Sequence, residues 1–348
     1  MAAELVDVLP AHRFDEAKLR EYLRDQLEGV AQRFEVKQFQ GGQSNPTFLL
    51  ETGTRRYVLR KKPPGKLLPS AHQIEREYKV IRALGDTDVP VPTARLLCED
   101  DSIIGTPFYV MDYVEGRILS HPALSEVPKE ERAPIYEAVA DTLARLHKVD
   151  WAAVGLADFG RPEGYVQRQI KRWSQQYEAS KTGDLPAMEK LMEWLPKHVP
   201  AGDETTIAHG DYRFGNVLLH PTEPKVLAVL DWELATLGHP LGDLAYCCLA
   251  YHLPANTPGL RGLIGIDLKA EGIPSEEWFL KAYAERTGRD GIPDWNFFVA
   301  FSLFRLAAIL QGVYHRALQG NASNADALQV GERAGLLAQA GWEIAQRA

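Results

Sequence analysis

The sequence predicts an α+β fold in two lobes: a small antiparallel-sheet N-lobe over residues 1–112 and a larger, mainly helical C-lobe over residues 113–348. Short strand-like runs separated by turn residues crowd the first third of the chain. Apolar stripes at helical spacing dominate the remainder. Between the two regions, a strand-like run from Pro107 to Asp112 leads into Tyr113-Val114-Glu115-Gly116, which marks a joint near residues 112–116.

From Asp15 to Leu27, Leu19, Leu23 and Leu27 stand four apart with charges between them, the pattern of an amphipathic leading helix. Val36 to Phe39, Thr47 to Thr52 and Tyr57 to Arg60 read as strands, the last two joined by a turn through Gly53, so they predict an antiparallel sheet. The segment Gly41-Gly42-Gln43-Ser44-Asn45 is too long for a tight hairpin. Its residues tolerate positive φ and expose backbone N–H groups, a composition that can cradle an anion. Pro63-Pro64-Gly65 breaks the sheet, and Ser70 with Gln73 forms a capping-box pattern ahead of Ile74, Tyr78, Ile81 and Leu84, which predict a helix. Pro90 and Pro92 close that region. Helical stripes then return at Ile135, Val139, Leu143 and Leu146, and over Glu276 to Arg286, Trp295 to Leu318 and Ala325 to Gln346. Pro254 to Gly265 reads as a surface loop, and no internal repeat is present.

Composition narrows the function. Of 348 residues, 45% are apolar and 25% charged, as in a globular protein with sizeable cores. The net charge of −8 repels phosphate polymers and anionic bilayers, so neither nucleic acid nor membrane is expected as a partner. Cys98, Cys247 and Cys248 make neither a disulfide framework nor a zinc ribbon, and fit a reducing cytoplasm. Met1 to Pro10 carry Glu4 and Asp7 without a basic n-region, which argues against a secretory leader. The longest apolar runs, Phe297 to Phe304 and Leu244 to Tyr251, contain polar residues and fall far short of the ~18 residues of a membrane span.

The chemistry concentrates in His209-Gly210-Asp211-Tyr212-Arg213-Phe214-Gly215-Asn216 and in Leu230-Asp231-Trp232-Glu233, each next to an apolar strand-like run. If the two runs pair as a hairpin, the loop before one and the loop after the other meet at the same end, which would gather Asp211, Asn216 and Asp231. Oxygen donors from Asn and Asp suit Mg²⁺, a hard ion that shares itself with nucleotide phosphates. A third acid, free of the metal, can orient an attacking hydroxyl.

His209-Gly210-Asp211 with Asn216 five residues later resembles the catalytic loop of the aminoglycoside phosphotransferase and choline kinase family, and Leu230-Asp231-Trp232-Glu233 resembles its metal segment. Protein kinases carry the same Asp-to-Asn spacing in H-R-D-x-x-x-x-N. The resemblance extends over about residues 30–250. Gln40 to Thr47 falls where the phosphate-covering loop belongs, Tyr57-Val58-Leu59-Arg60 matches the third strand, and Ile74-Glu75-Arg76-Glu77 matches the helix of the ion-pair acid. Gly238 to Ala245 resembles the segment after the metal Asp. In wording these motifs are most similar to the kinase-like domain associated with long-chain acyl-CoA dehydrogenases.

The resemblance implies a protein-kinase-like fold that binds ATP and Mg²⁺ between its lobes and phosphorylates the hydroxyl group of a small molecule. It assigns Asp211 to catalysis, Asn216 and Asp231 to Mg²⁺, Glu77 to the ion pair with Glu75 as the alternative, and Ser44 and Asn45 to the phosphates. Met111 to Tyr113 would meet the adenine edge. The acceptor would be held by the helical segment after residue 250. A hydroxyacyl-CoA-type metabolite is one class implied, an aminoglycoside or amino alcohol another, together with a functional association with an acyl-CoA dehydrogenase.

Two features depart from the family pattern. Arg60 stands where a lysine holds the α- and β-phosphates, with Lys61 and Lys62 next door; strand alternation puts Lys61 on the opposite face, while Lys62 shares the Arg60 face only if the strand continues, so the cation is open by position. The 41–45 loop is not G-x-G-x-x-G. His209 and Asp243 read as structural support for the loop, and the spacing of His209, His220 and His239 matches no compact zinc motif. Two other classes stand beside the kinase reading: a nucleotide-binding protein without turnover, motivated by Arg60, and a two-metal phosphoesterase using the Asp and His residues.

Overall fold

The computed structural model describes residues 4–40, 45–63, 73–257, 259–319, 327–331 and 333–348. Contacts divide the chain into two compact units, Met1–Ile118 with Val217–Ala235, and Leu119–Asn216 with Thr236–Ala348. Strands and helices are numbered along the chain.

The first unit is built on a six-stranded antiparallel sheet, β1 (Leu5–Val6), β2 (Phe34–Phe39), β3 (Thr47–Thr52), β4 (Arg56–Lys61), β5 (Ala94–Cys98) and β6 (Phe108–Asp112), in the order β1-β2-β3-β4-β6-β5. Period-2 alternation sorts its side chains. Phe48, Leu50, Tyr57, Leu59, Phe108 and Val110 share one core with Leu19 and Leu23 of α1 (Glu16–Leu23). Each of these side chains contributes roughly 1.5–3 kcal/mol by leaving water. Asp15 starts α1 by accepting from Lys18 N at 2.9 Å, so the predicted leading helix is present but ends at Leu23. Helix α2 (Ile74–Leu84) packs on β5 and β6. Its N-cap, Gln73, makes no side-chain cap bond, and Ser70 of the predicted capping box lies outside the described residues. A one-turn helix, α3 (Asp101–Ile104), joins β5 to β6.

A hairpin of β8 (Val217–Leu219) and β9 (Val226–Val229) completes this unit, pairing Val217 with Val229. It is tied down by main-chain bonds from Arg117 N to Leu219 O at 2.8 Å, Leu219 N to Arg117 O at 2.9 Å and Val229 N to Pro90 O at 2.8 Å. Gly116 is required there, because a β-carbon would stand 2.5 Å from Leu219 O. Whereas the sequence reading cuts the chain once at 112/113, by contacts this hairpin folds with the sheet although its flanks on both sides do not.

The second unit is helical: α4 (Lys129–Lys148), α5 (Tyr165–Ser180), α6 (Pro186–Trp194), α7 (Pro240–Cys248), α8 (Glu276–Thr287), α9 (Trp295–Leu318), α10 (Ala327–Gly331) and α11 (Ala334–Ala345). A two-stranded ladder pairs β7 (Thr206–Ala208) with β10 (Thr236–Gly238). Helix α9 packs against α5, α7 and α11. By length and composition it could cross a bilayer, but 72% of its most apolar 18-residue window is buried inside this unit, which accounts for its hydropathy. The helix expected over 325–346 is, among the described residues, two helices, with Gly331 and Gly335 lowering helix propensity near the break. The Pro254–Gly265 segment is a loop in which Pro254 bridges Ile264.

His239 caps α7, with Leu241 N donating to its Nδ1 at 3.2 Å, so the ring works as a neutral acceptor. Burial pushes its pKa down to about 4. The unfolded chain therefore takes a proton between pH 6.5 and 4 that the folded chain refuses, and stability falls as the pH drops through that window, by about 3 kcal/mol from this group. His239→Asn keeps a capping oxygen and removes the titration. Denaturant midpoints of the two proteins should stand closest at pH 7 and diverge as the pH falls to 4, with His239→Asn the more stable there; parallel pH curves would refute this origin.

Candidate functional site

In the first unit, alternation turns Arg60 of β4 away from the α1 core, on the face bearing α2. Its Nε stands 3.4 Å from Glu77 Oε2, and both terminal nitrogens stand 3.4 Å from Asp231 Oδ1. Glu77 is fully buried on the inner stripe of α2. Its carboxylate accepts from Asn45 Nδ2 at 2.6 Å and from Tyr109 OH at 3.0 Å. Tyr109 arrives there because its strand pairs it directly with Arg60. Burial pushes the Glu77 carboxyl above its ordinary range, against the pull of Arg60. Burial works against the Arg60 charge as well, but Tyr109, Glu77, Asp231 and Glu233 overcome it and hold the guanidinium charged.

The neighbouring cations go elsewhere. Lys61 is buried on the opposite face, its ammonium 5.6 Å from the Phe14 ring centre and 6.0 Å from that of Phe48, and burial lowers its pKa. Lys62 pairs with Glu75. The question left open by position therefore has a structural answer: Arg60 is the cation beside Glu77 and Asp231, and Glu77 rather than Glu75 is its acid.

Asp231 follows β9 at φ 66° and ψ 61°, the left-handed region that costs a non-glycine residue about 1–2 kcal/mol. The conformation is held from the next residue: Trp232 is buried, and its Nε1 donates to Val229 O at 2.9 Å. The Asp231 side chain remains 36% exposed, enough to meet a ligand. Of the other residues expected at the nucleotide, Met111 is buried within β6 and Tyr113 stacks on Phe39 with Arg56 over its ring at 4.4 Å. Ser44 lies outside the described residues.

In the second unit, Asp211 and Asn216 come together. Asn216 Nδ2 donates to Asp211 Oδ2 at 2.7 Å and to Asp211 O at 2.9 Å, and Arg213 Nε donates to the same carboxylate at 3.2 Å. The loop is fixed from behind. Asp243 accepts from His209 N at 2.5 Å and Gly210 N at 2.8 Å, and Asp211 N donates to His209 Nδ1 at 3.1 Å. Burial alone would raise the Asp243 pKa, but His147, His209 and the Gly210 amide outweigh it and hold the carboxyl below its ordinary value. His147 Nε2 stands 3.5 Å from Asp243 and its Nδ1 2.7 Å from Tyr283 OH. Tyr109, Arg213 and His147 were not singled out in the sequence; strand register identifies Tyr109, whereas His147 lies on the inner stripe of α4, one residue beyond Leu146 of the Ile135 series.

Among the described residues, no three His, Cys, Asp or Glu side chains gather as a metal group. The donors that remain are oxygens. Asn216 Nδ2 is engaged on Asp211, which leaves the amide oxygen as that side chain's acceptor, and the Asp231 carboxylate is partly open. Both are hard donors that fit Mg²⁺ by type.

The model of the phosphotransferase enzyme family matches residues 35–278. Acyl-CoA dehydrogenase family member 10 of Mus musculus is 49% identical over 313 residues, which cover 90% of this chain and 29% of that protein. Family member 11 of Homo sapiens is 44% identical over 351 residues, covering 99% and 45%. The chain thus spans less than half the length of these curated relatives. A Ralstonia eutropha JMP134 protein provisionally named an aminoglycoside phosphotransferase has a crystal structure 49% identical to this chain, with a TM-score of 0.88 and coverage of 97% and 99%. A thermostable mutant of aminoglycoside phosphotransferase APH(4)-Ia, solved with ADP and hygromycin B, is 17% identical with a TM-score of 0.62, covering 94% and 98%. That likeness is one of fold, and it makes the α+β architecture protein-kinase-like, as expected.

The two charges beside Arg60 make its removal and that of Glu77 unequal. Arg60→Met leaves a buried carboxylate without its cation and should cost about 3–5 kcal/mol in urea unfolding. Glu77→Gln should cost less, because burial already favours a neutral group there and Asp231 still balances Arg60. A larger loss for Glu77→Gln would overturn this account of the pair.

Proposed function

Because the chain belongs to the phosphotransferase enzyme family, we propose that it transfers the γ-phosphoryl group of ATP, in the presence of Mg²⁺, to the hydroxyl of a small molecule. The observation that carries this reading is the Asp211 carboxylate, 83% covered, aligned by Asn216 and Arg213 on a loop braced by Asp243. Asp211 orients the acceptor hydroxyl and takes its proton as the oxygen bonds to the γ-phosphorus and the bond to the β,γ-bridging oxygen breaks, releasing ADP. Asn216 and Asp231 would hold Mg²⁺, which when bound supplies charge neutralisation along the phosphates. Arg60, oriented by Glu77, is the phosphate clamp; Asn45 and Ser44 belong to the phosphate loop, and the strand end from Met111 to Tyr113 to the adenine.

For the acceptor, the names of the curated relatives favour a hydroxyacyl-CoA-type metabolite, acting in functional association with an acyl-CoA dehydrogenase, over an aminoglycoside or amino alcohol. The alternatives without turnover, or with hydrolysis of simple esters, have no such support.

The test is to incubate the protein with γ-labelled ATP, Mg²⁺ and hydroxylated acceptors, hydroxyacyl-CoA esters included. Asp211→Asn should lower kcat by about 10²–10⁴-fold, while Asp231→Asn should raise the Mg²⁺ requirement. Equal labelling by wild type and Asp211→Asn would remove Asp211 from the mechanism, and no labelled product with any acceptor would remove the reaction.

A further inference from the structure

Helix α9 carries one charged side chain between Trp295 and Tyr314, Arg305, and it points inward, 6% exposed. A guanidinium taken out of water needs compensation. Its principal bond goes to a main-chain carbonyl rather than a carboxylate: Nη2 donates to Gly210 O at 2.5 Å. Two aromatic rings lie against it, their centres 5.5 Å (Trp173 of α5) and 5.3 Å (Tyr246 of α7) from the guanidinium carbon. Its Nε is buried and has no hydrogen-bond partner among the described residues.

Gly210 is the residue before Asp211, at φ 83°, a conformation that a side chain would oppose. Its peptide groups are held on both sides, the N–H by Asp243 of α7 at 2.8 Å and the C=O by Arg305 of α9. The ring that stacks on Arg305 is equally placed to act forward, since the Tyr246 hydroxyl faces the Asp211 carboxylate. One buried cation thus touches the backbone immediately before the acid and the phenol in front of it. An apolar side chain of the same length would fill the space at no cost in buried charge.

We propose that Arg305 is a positioning residue for Asp211, fixing the Gly210 carbonyl and the Tyr246 ring so that the carboxylate keeps its aim. Its kinetic consequence rests on the phosphoryl-transfer reading, whereas its effect on the loop does not. A loop displaced by about 1 Å costs on the order of 10²-fold in rate. The group does not touch nucleotide or acceptor in this role, so its loss should appear in kcat and leave the KM for Mg-ATP nearly unchanged.

The experiment compares wild type, Arg305→Met, Arg305→Lys and Arg305→Ala in the full chain. Arg305→Met should lower kcat by roughly tenfold to a hundredfold with the KM for Mg-ATP within about threefold, at a melting temperature close to wild type. Arg305→Lys, which retains one donor for the carbonyl, should recover part of the loss, and millimolar guanidinium should restore part of the activity of Arg305→Ala. Amide hydrogen exchange, read by mass spectrometry on the peptide covering 209–216, should be faster by about tenfold in Arg305→Met while the β7–β10 ladder and α4 keep their protection. Unchanged kcat with unchanged exchange overturns the proposal, as does a fall in melting temperature with neither effect. If Arg305→Met does not fold, the same two readouts on Arg305→Lys decide. Should wild type label no acceptor at all, the reaction falls and the exchange measurement alone settles Arg305.

Discussion

A carboxylate moved out of water must be supplied with partners or surrender its charge, and the first unit is arranged round one such group. Glu77, on α2, has no exposed surface, and its partners come from three other places: Arg60 of β4, Tyr109 of β6 and Asn45 ahead of β3. Satisfying it fixes the helix against the sheet and aims Arg60. The remaining nitrogens of that guanidinium reach Asp231, so the strained residue after β9 is tied to the same ion. The α1 core on the opposite face buries apolar side chains of the same strands, but it places none of these polar atoms.

The second unit solves the same problem for Asp243 with the opposite outcome. This carboxylate is also buried, yet its pKa lies below the ordinary value, whereas that of Glu77 lies above. The difference is in the partners. Asp243 accepts from two main-chain N–H groups and faces His147 and His209, while Glu77 shares Arg60 with the Asp231 carboxylate. Asp243 is therefore a fixed negative charge from which the 209–210 backbone hangs, and its contribution is present above the ordinary carboxylate pKa and lost as the pH falls through the depressed one. Glu77 sits closer to neutrality and gives the Arg60 guanidinium a softer hold.

What was legible in the sequence follows from which signals are local. The Asp-to-Asn spacing in 211–216 closes a single loop, so the approach of Asn216 to Asp211 was legible, whereas the bond from its amide to that carboxylate was not. Strand alternation alone separated Lys61 from Arg60, and Trp295 to Leu318 ran at helical hydropathy over the extent that α9 has. The parts that were not legible depend on contacts distant in sequence. Nothing near Tyr109 marks it as a ligand of Glu77, since it lies in an apolar strand and acquires its role from register with Arg60. The hairpin at 217–235 reads as part of the later chain because its flanks do, and only the bonds to Arg117 and Pro90 reassign it. Short elements such as β5 and β7 fall below the length at which periodicity speaks.

The arginine at 60 then ceases to be a simple defect of pattern. A lysine would bring one compact ammonium with three donors, enough for one buried acid and one further ligand. The guanidinium spreads its charge over a plane, so Nε can stay with Glu77 while both terminal nitrogens address Asp231, and no deprotonation relieves either contact. Asp231 must be turned to suit that plane. Its left-handed backbone, held by the buried Trp232 and the Nε1 bond to Val229, meets this requirement at a cost of about 1–2 kcal/mol. On this argument Arg60 and the Asp231 conformation are one feature: a shorter, softer cation at 60 would remove the guanidinium plane that both terminal contacts use, and the strain at 231 would persist with less to compensate it.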